Sequence, residues 1–322
     1  MSQSDHPRPR RRRPLLTTAG VFVLLALIGY FAVQYNSTGG AGAPHCTATM
    51  VPDPGHEGTR QSYDMSPEQA ANAATIASVG VAKGLPERAV TIALATAMQE
   101  SALRNLDHGD RDSLGLFQQR PSQGWGTPAQ IMDPVYSAGI FYDRLAEIKG
   151  YSRLPLTEAA QQVQLSGFPQ AYAKHEPDAT VVTAALTGAA PGTLTCTGPV
   201  PRPGTGDPEK VKAELVRVLG AGATPKAGPP KSPFHAGGTD QSEVTLSVTG
   251  KKGEIDERHG WEIAHWAVAH SAELGIVRVG YGSKAWIAGE NKGKWVDKAP
   301  GKSGDGDPRN SGPDDVRIFV AR

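Results

Sequence analysis

Apolar residues recur at helical spacing through the middle of this chain. Ala89, Ile92, Ala93 and Ala97 stand eleven, eight, seven and three positions before Glu100. These spacings bring side chains to one face of a helix. The pattern therefore predicts that Glu100 continues a buried helical face rather than a solvent-exposed one.

Further helices are predicted on both sides of this one. Ser66, Pro67 and Gln69 have the spacing of an N-terminal cap with a capping box. Helical segments are also predicted from Pro86, from Asp133, over residues 157–165 and over residues 178–186. Because no convincing run of alternating strand residues interrupts them, residues 61–198 are predicted to be a mainly α domain.

The pattern changes after residue 240. Short strands are predicted at residues 244–248, 276–281, 284–287 and 316–321, with a helix around Trp266 between the first two. Residues 241–322 are therefore predicted to form a small α+β domain. The segments 34–60 and 199–240 are rich in Gly and Pro and are predicted to be linkers, with one short helical piece at residues 208–219.

The N-terminus carries the longest apolar run of the chain. Residues 15–33 are apolar except for two threonines, and five arginines lie in the preceding residues 1–14. A run of this length predicts a single transmembrane anchor with a basic cytoplasmic tail and the bulk of the chain outside the cell. A cleaved signal peptide is the alternative interpretation. The formal net charge of the whole chain is only +1, so no overall field favours nucleic acid as a partner.

The chain has two cysteines, Cys46 and Cys196, and they bracket the predicted helical domain. A compartment outside the membrane permits disulfides, so we predict a bridge between them. Two free thiols are the alternative. Two cysteines lack the partners of a metal site, and no metal is predicted here.

Glu100 is the main candidate for chemistry. A carboxyl group at the end of an apolar face loses hydration, and this raises its pKa. A carboxylic acid that stays protonated near neutral pH can donate a proton to the leaving oxygen of a glycosidic bond.

The loop that follows offers further candidates. Asp110 or Asp112 could supply the second carboxylate that many glycosidases use, although a solvated polar loop explains them equally well. Trp125, between two glycines, is predicted to be an exposed aromatic that stacks on a sugar ring. Nearby side-chain amides, including that of Gln119, are predicted to bind the hydroxyl or acetamido groups of the sugar. A Trp folded back onto its own domain is the alternative.

Residues 61–190 resemble the soluble lytic transglycosylases and goose-type lysozymes. The resemblance rests on Glu100-Ser101 followed after a short loop by Gly115-Leu116-Phe117-Gln118. It implies a lysozyme-like fold, with Glu100 as the catalytic acid and with Ser101 and the Gly-Leu-Phe-Gln segment at the glycan cleft. It also implies that the 6-hydroxyl of the substrate can close onto C1, so a second carboxylate is not needed. Tyr172 lies where the family has an aromatic cleft motif, although the familiar Ala-Tyr-Asn-Ala-Gly is absent.

The C-terminal segment resembles a module of actinobacterial secreted proteins that carries Asp-His-Val-His, a pair of ligands typical of zinc peptidases. Here the corresponding residues are Asp314-Asp315-Val316-Arg317-Ile318, so both histidines are missing. A zinc site needs three or four ligands. The module is therefore predicted to be non-catalytic.

Together these features predict a mainly α lysozyme-like domain, a single N-terminal transmembrane helix and a small α+β C-terminal domain. The predicted function is cleavage of the β-1,4 bond between N-acetylmuramic acid and N-acetylglucosamine in peptidoglycan, with no cofactor. The predicted partners are glycan strands and, through residues 15–33, the membrane. A non-catalytic scaffold that binds the cell wall is the alternative. The sequence identifies no protein partner.

Overall fold

Helices and antiparallel sheets share the part of the chain that the structure describes. This computed structural model describes residues 43–50, 61–168, 170–221, 223–228, 241–248, 256–297 and 315–322. Over these residues it is about 47% helix and 19% strand.

Helices account for most of the described residues between 61 and 221. The longer helices are α1 (Pro67–Ala82), α2 (Glu87–Ser101), α4 (Pro134–Glu147), α5 (Leu156–Gln164), α6 (Glu176–Leu186), α7 (Pro208–Leu219) and α8 (Glu257–Ala269). Two short helices, α3 (Pro128–Ile131) and α9 (Ser271–Leu274), complete the set, with 3-10 turns at Pro121–Gln123, Tyr151–Arg153, Ala173–His175 and Asn291–Gly293.

Two antiparallel sheets flank the helices. The first sheet has the order β2-β1-β3 and consists of β1 (His45–Met50), β2 (Gln61–Met65) and β3 (Leu194–Thr197). The second has the order β4-β5-β9-β6-β7-β8 and consists of β4 (Lys226–Ala227), β5 (Gln241–Ser247), β6 (Ile276–Tyr281), β7 (Lys284–Ile287), β8 (Val296–Asp297) and β9 (Asp315–Ala321).

The predicted fold class is wrong, because the described part of the chain contains two antiparallel sheets. One of them, β2-β1-β3, takes two of its strands from residues 61–198, where a mainly α lysozyme-like domain was expected. The three-stranded sheet is built from segments at the two ends of that region, and β1 pairs with β3 through Cys46 opposite Cys196. These strands are short and contain several polar residues, so their own sequence carries little alternation. Strand β1 pairs with β3 across about 150 residues of sequence, where no local pattern reveals the partner.

The individual helices agree with the sequence patterns. Ser66 caps α1, its hydroxyl accepts from Gln69 N at 3.2 Å, and Gln69 Oε1 accepts in return from Ser66 N at 2.8 Å. This reciprocal capping box satisfies two amide groups that the helix itself cannot. Helix α7 also forms where it was predicted, and its buried Val211 and Leu215 make it part of the core rather than a free spacer.

The described residues of 241–322 fold as α+β, and they share a hydrophobic core with the helical region. Helix α8 packs against β6 and β9 and also against α1, α6 and β3. The described residues between 44 and 322 accordingly form one compact unit. The boundary predicted at residues 199–240 divides the sequence, but the apolar residues on its two sides are buried together.

The predicted transmembrane segment, residues 15–33, and the cytoplasmic tail before it lie outside the described residues. Among the helices that the structure describes, none combines the length and the apolar character needed to cross a bilayer.

Candidate active site

Glu100 lies at the end of α2, where the helix meets a cavity. The preceding residues Ala89, Ile92, Ala93 and Ala97 are fully buried, as their spacing predicts. Glu100 is half-buried and lines a cavity of about 820 Å³. The chain then leaves the helix through Ala102 and Leu103, both in the left-handed region.

Burial sets the charge preference of Glu100. Loss of hydration raises the pKa of this carboxyl group above its ordinary value, and hydrogen bonds from Tyr172 and Gln164 lower it by less. The Tyr172 hydroxyl donates to Glu100 Oε1 at 2.7 Å. Burial also raises the pKa of Tyr172, so its hydroxyl keeps the proton that it donates. The site therefore holds an acid that remains protonated to higher pH than a solvated Glu.

Ser101 connects the end of α2 to the loop that follows. Its hydroxyl is buried and lies 3.1 Å from Ala97 O and 2.8 Å from Leu116 O, so it donates to main-chain carbonyls. It does not line the cavity. Ser101 therefore positions the Gly-Leu-Phe-Gln segment instead of contacting a ligand.

The Gly-Leu-Phe-Gln segment contributes one side chain to the cavity. Gly115 has φ 75°, and a Cβ there would lie 2.8 Å from Ile131 O, so the position requires glycine. Leu116 and Phe117 are fully buried, and Phe117 stacks on the ring of Phe141. Only Gln118 lines the cavity.

Gln119 faces the protein interior. It is 1% exposed, and its Nε2 donates to Ser137 O at 3.0 Å. Of the two adjacent amides in this segment, the structure places Gln118 at the cavity and Gln119 in the core. The sequence alone does not distinguish them.

The prediction that Trp125 is an exposed stacking residue is wrong. Trp125 is 6% exposed, although its edge lines the cavity. The guanidinium carbon of Arg144 lies 3.5 Å from the centroid of the Trp125 ring, and Arg144 Nη2 donates to Gly124 O at 2.9 Å. Gly124 and Gly126 both have positive φ, which lets the chain fold the indole back onto its own body. Arg144 therefore covers a ring face that a sugar would need.

The two candidate second carboxylates differ in their surroundings. Asp112 Oδ1 accepts from Arg120 Nε at 2.7 Å and its Oδ2 accepts from Ser122 N at 2.9 Å. The Arg120 hydrogen bond, followed by those from Ser122, holds the pKa of Asp112 far below its ordinary value. Asp112 is thus committed to a structural ion pair. Asp110 lines the cavity and stays exposed, with Arg111 Nε 3.9 Å away.

Several cavity residues were not predicted from the sequence. Gln164, the last residue of α5, donates to Phe117 O at 2.7 Å and also bonds to the Glu100 carboxyl group. Residues 163–168 continue the cavity wall beyond it. Gln164 follows other polar residues at a helix end, where glutamine is common, so no local signal marks it.

The histidines and Arg317 of the C-terminal region have structural partners. His265 and His270 are buried, with their Nδ1 atoms 2.7 Å from Ala185 O and 2.9 Å from Trp266 O. Arg317 forms an ion pair with the buried Glu243. Within the described ranges, no group of three or more His, Cys, Asp or Glu side chains is arranged to hold a metal ion. Asp314, part of the motif discussed above, lies outside those ranges.

The disulfide between Cys46 and Cys196 is present. It confirms the predicted pairing, and it joins strands that are neighbours in the first sheet.

A scan against protein-family models and a search of curated proteins both found no match to this chain. The geometry of the cavity therefore carries the functional argument.

Proposed function

We propose that this protein cleaves the β-1,4 glycosidic bond between N-acetylmuramic acid and N-acetylglucosamine in peptidoglycan, with Glu100 as the acid and then the base. One observation carries the proposal: a carboxyl group whose pKa is raised by burial opens into a cavity of about 820 Å³, large enough for sugar rings. A carboxyl group in this state is the proton donor that glycosidic cleavage requires.

The proposed reaction uses Glu100 twice. Its carboxyl proton passes to the glycosidic oxygen as the C1–O bond breaks, and the leaving sugar departs with a new hydroxyl group. The Glu100 carboxylate then takes a proton from the 6-hydroxyl of the N-acetylmuramic acid ring that retains C1, or from water, and that oxygen bonds to C1. The first route gives a 1,6-anhydro product and the second gives hydrolysis. Mass spectrometry distinguishes them, because the two products differ by one water.

Two hydrogen bonds support the first step. The hydroxyl of Tyr172 and the amide of Gln164 both donate to the Glu100 carboxyl group. These donors stabilise the carboxylate that forms when the proton leaves, while burial keeps the resting acid protonated. The arrangement thus serves both the acid and the base role of one side chain.

The disulfide supports a location outside the cytoplasm. Structural disulfides persist in oxidising compartments, and peptidoglycan lies in such a compartment. We further propose that residues 15–33 anchor the protein in the membrane, with the catalytic region on the outer side.

Replacement of Glu100 by Gln tests the proposal. Glu100→Gln keeps the size of the side chain but removes the acid, so we expect the release of soluble muropeptides from purified peptidoglycan to fall by about 10²- to 10⁴-fold. The melting temperature should stay the same or rise, because a neutral amide of the same size replaces a group that the site already favours in its neutral form.

Glu158→Gln is the matched control, because Glu158 is exposed on α5 and does not line the cavity. This variant should retain full activity. Equal muropeptide release by wild type and Glu100→Gln would refute the assignment. Sedimentation with peptidoglycan without any product from the wild type would favour the alternative function, a wall-binding scaffold.

A further inference from the structure

Two large apolar side chains lie exposed at the edge of the cavity that contains Glu100. Among the described residues, the exposed large apolar side chains are Leu165 (82%), Phe168 (77%), Val200 (55%) and Val216 (38%). The two most exposed of these both line the cavity. We infer that Leu165 and Phe168 form a platform that holds the apolar face of a pyranose ring of the glycan beside Glu100, an assignment that rests on the function proposed above.

The backbone at Leu165 supports a role other than stability. Leu165 terminates α5 in the left-handed region with φ 51°. This position usually carries glycine, because a Cβ makes the conformation unfavourable. A large, exposed leucine here increases both backbone strain and exposed apolar area. Strain of this kind is concentrated at functional sites.

The loop that carries the platform is held by hydrogen bonds. Gln161 Nε2 donates to Ser166 O at 2.7 Å, and the Ser166 hydroxyl accepts from Phe168 N at 3.1 Å. These bonds fix the backbone between the two exposed side chains. A preset platform loses less conformational entropy when a ligand binds.

The platform is connected to the candidate acid through one residue. Gln164 immediately precedes Leu165, and its amide bonds to both Phe117 O and the Glu100 carboxyl group. A sugar ring on the platform is therefore placed relative to the proton donor by a continuous set of contacts.

The composition of the cavity matches an amino-sugar ring. A pyranose has an apolar C–H face and a polar edge with hydroxyl and acetamido groups. The platform offers an apolar surface, and Gln118, Gln123 and Ser113 line other parts of the same cavity with hydrogen-bonding groups. Trp125 is buried under Arg144 and is not available for this contact. Phe168 therefore replaces it as the aromatic that meets the sugar.

Leu165→Gly and Phe168→Ala in the full chain test the platform. Phe168→Ala should raise KM for purified peptidoglycan about tenfold, with a smaller effect on kcat, because it removes apolar contact area.

Leu165→Gly should also raise KM, yet it should raise the melting temperature by about 2 °C or more, because glycine relieves the left-handed backbone. A merely structural role would not combine higher stability with weaker binding. Val216→Ala, which removes an exposed apolar group away from the cavity, should change neither quantity.

A binding measurement separates this inference from the proposed reaction. The same substitutions are placed in the Glu100→Gln background, and the binding of N-acetylglucosamine hexamer and of peptidoglycan is measured by calorimetry and sedimentation. About tenfold weaker binding by Phe168→Ala supports the platform even if the wild type cleaves nothing, and in that case only the proposed reaction fails. Unchanged binding and unchanged KM would overturn the platform even if Glu100 proves catalytic. If neither ligand binds the parent Glu100→Gln protein, the platform assignment is also wrong.

Discussion

At the scale of single residues, the state of Glu100 is decided by competition between burial and hydrogen bonding. Burial favours the neutral acid, and the bonds from Tyr172 and Gln164 favour the carboxylate, but burial has the larger effect on the pKa. If the protonated form is the active one, activity is lost as pH rises through the pKa of Glu100. Because this pKa is raised, the active range extends to higher pH than a solvated Glu would allow.

Tyr172→Phe should shift this range. The substitution removes a donor that stabilises the carboxylate, so the pKa of Glu100 should rise further and the loss of activity should move to higher pH. The value of kcat should fall about ten- to a hundredfold, because a hydrogen bond to the forming charge is lost. A pH–rate profile of muropeptide release measures both effects.

Tyr142→Phe is the control for a lost tyrosine hydroxyl. The Tyr142 hydroxyl is buried and donates to Ile76 O at 2.9 Å, and Tyr142 does not line the cavity. Its loss should cost about 1 kcal/mol of stability and leave the pH–rate profile in place. A Tyr172→Phe profile identical to that of wild type would show that this hydrogen bond does not control the titration of Glu100.

At the scale of secondary-structure elements, the three-stranded sheet joins distant parts of the chain. Strand β1 lies between β2 and β3, and the disulfide crosses from β1 to β3. The C-terminal region contacts β3. Trp295 Nε1 donates to Leu194 O at 2.8 Å, and Trp286 Nε1 donates to Cys196 O at 3.3 Å. Strand β3 is therefore held from both sides.

Removal of the disulfide should lower stability strongly. The bridge closes a loop with a sequence separation of 150 residues. The chain-entropy treatment gives about 5 kcal/mol as an upper figure for a loop of this length. Urea unfolding of Cys46→Ala/Cys196→Ala, compared with wild type before and after reduction, measures the difference.

The comparison with reduced wild type is the control for cavity effects, because it breaks the bridge without removing the sulfur atoms. Both proteins should unfold at lower urea concentration than the oxidised wild type. An unfolding midpoint that reduction leaves unchanged would mean that the hydrogen bonds and packing around β3 suffice without the cross-link.

At the scale of the whole molecule, α8 unites the two halves of the described chain. It carries His265, whose Nδ1 donates to Ala185 O on α6, and it is followed by His270, whose Nε2 lies 3.3 Å from Thr75 Oγ1 on α1. Burial lowers the pKa of each histidine to about 4, because the charged form loses hydration. Both imidazoles are therefore neutral in the folded protein above this pH.

The buried histidines predict acid sensitivity. In the unfolded chain a histidine takes up a proton near its ordinary pKa of 6.5, whereas in the folded protein it does so only near 4. The stability they contribute is present above pH 6.5 and is lost as pH falls towards 4, by up to about 3 kcal/mol for each histidine. The contribution of Glu262 to stability depends on pH in the opposite direction. Burial raises the pKa of Glu262, so its contribution is lost as pH rises.

His265→Phe isolates the histidine contribution from that of Glu262. Its unfolding free energy should depend less steeply on pH between 6.5 and 4 than that of wild type, although the lost bond to Ala185 O lowers it at neutral pH. Parallel pH dependences of wild type and His265→Phe, measured by urea unfolding, would contradict the assignment.

The positions of the helices and the burial of Glu100 could be predicted from the sequence. The Ser66 cap, the start of α4 after Asp133 and the apolar face of α2 depend on residues within a few turns of each other. Helical hydrogen bonds join residues four apart, so the pattern that specifies a helix is contained in the segment itself. The same local pattern placed Glu100 at the end of a buried face, and the cysteine positions indicated the disulfide.

Only the tertiary structure decided what surrounds Glu100 and how the halves combine. Tyr172 is 72 residues from Glu100, and its exposure or bonding could not be derived from its neighbours in sequence. Trp125 is buried under Arg144, whereas Leu165 and Phe168 are the exposed apolar side chains at the cavity. The three-stranded sheet and the shared core arise in the same way. Contacts between segments far apart in sequence depend on chain topology and on which apolar surfaces meet, and neither is encoded in a short stretch of residues.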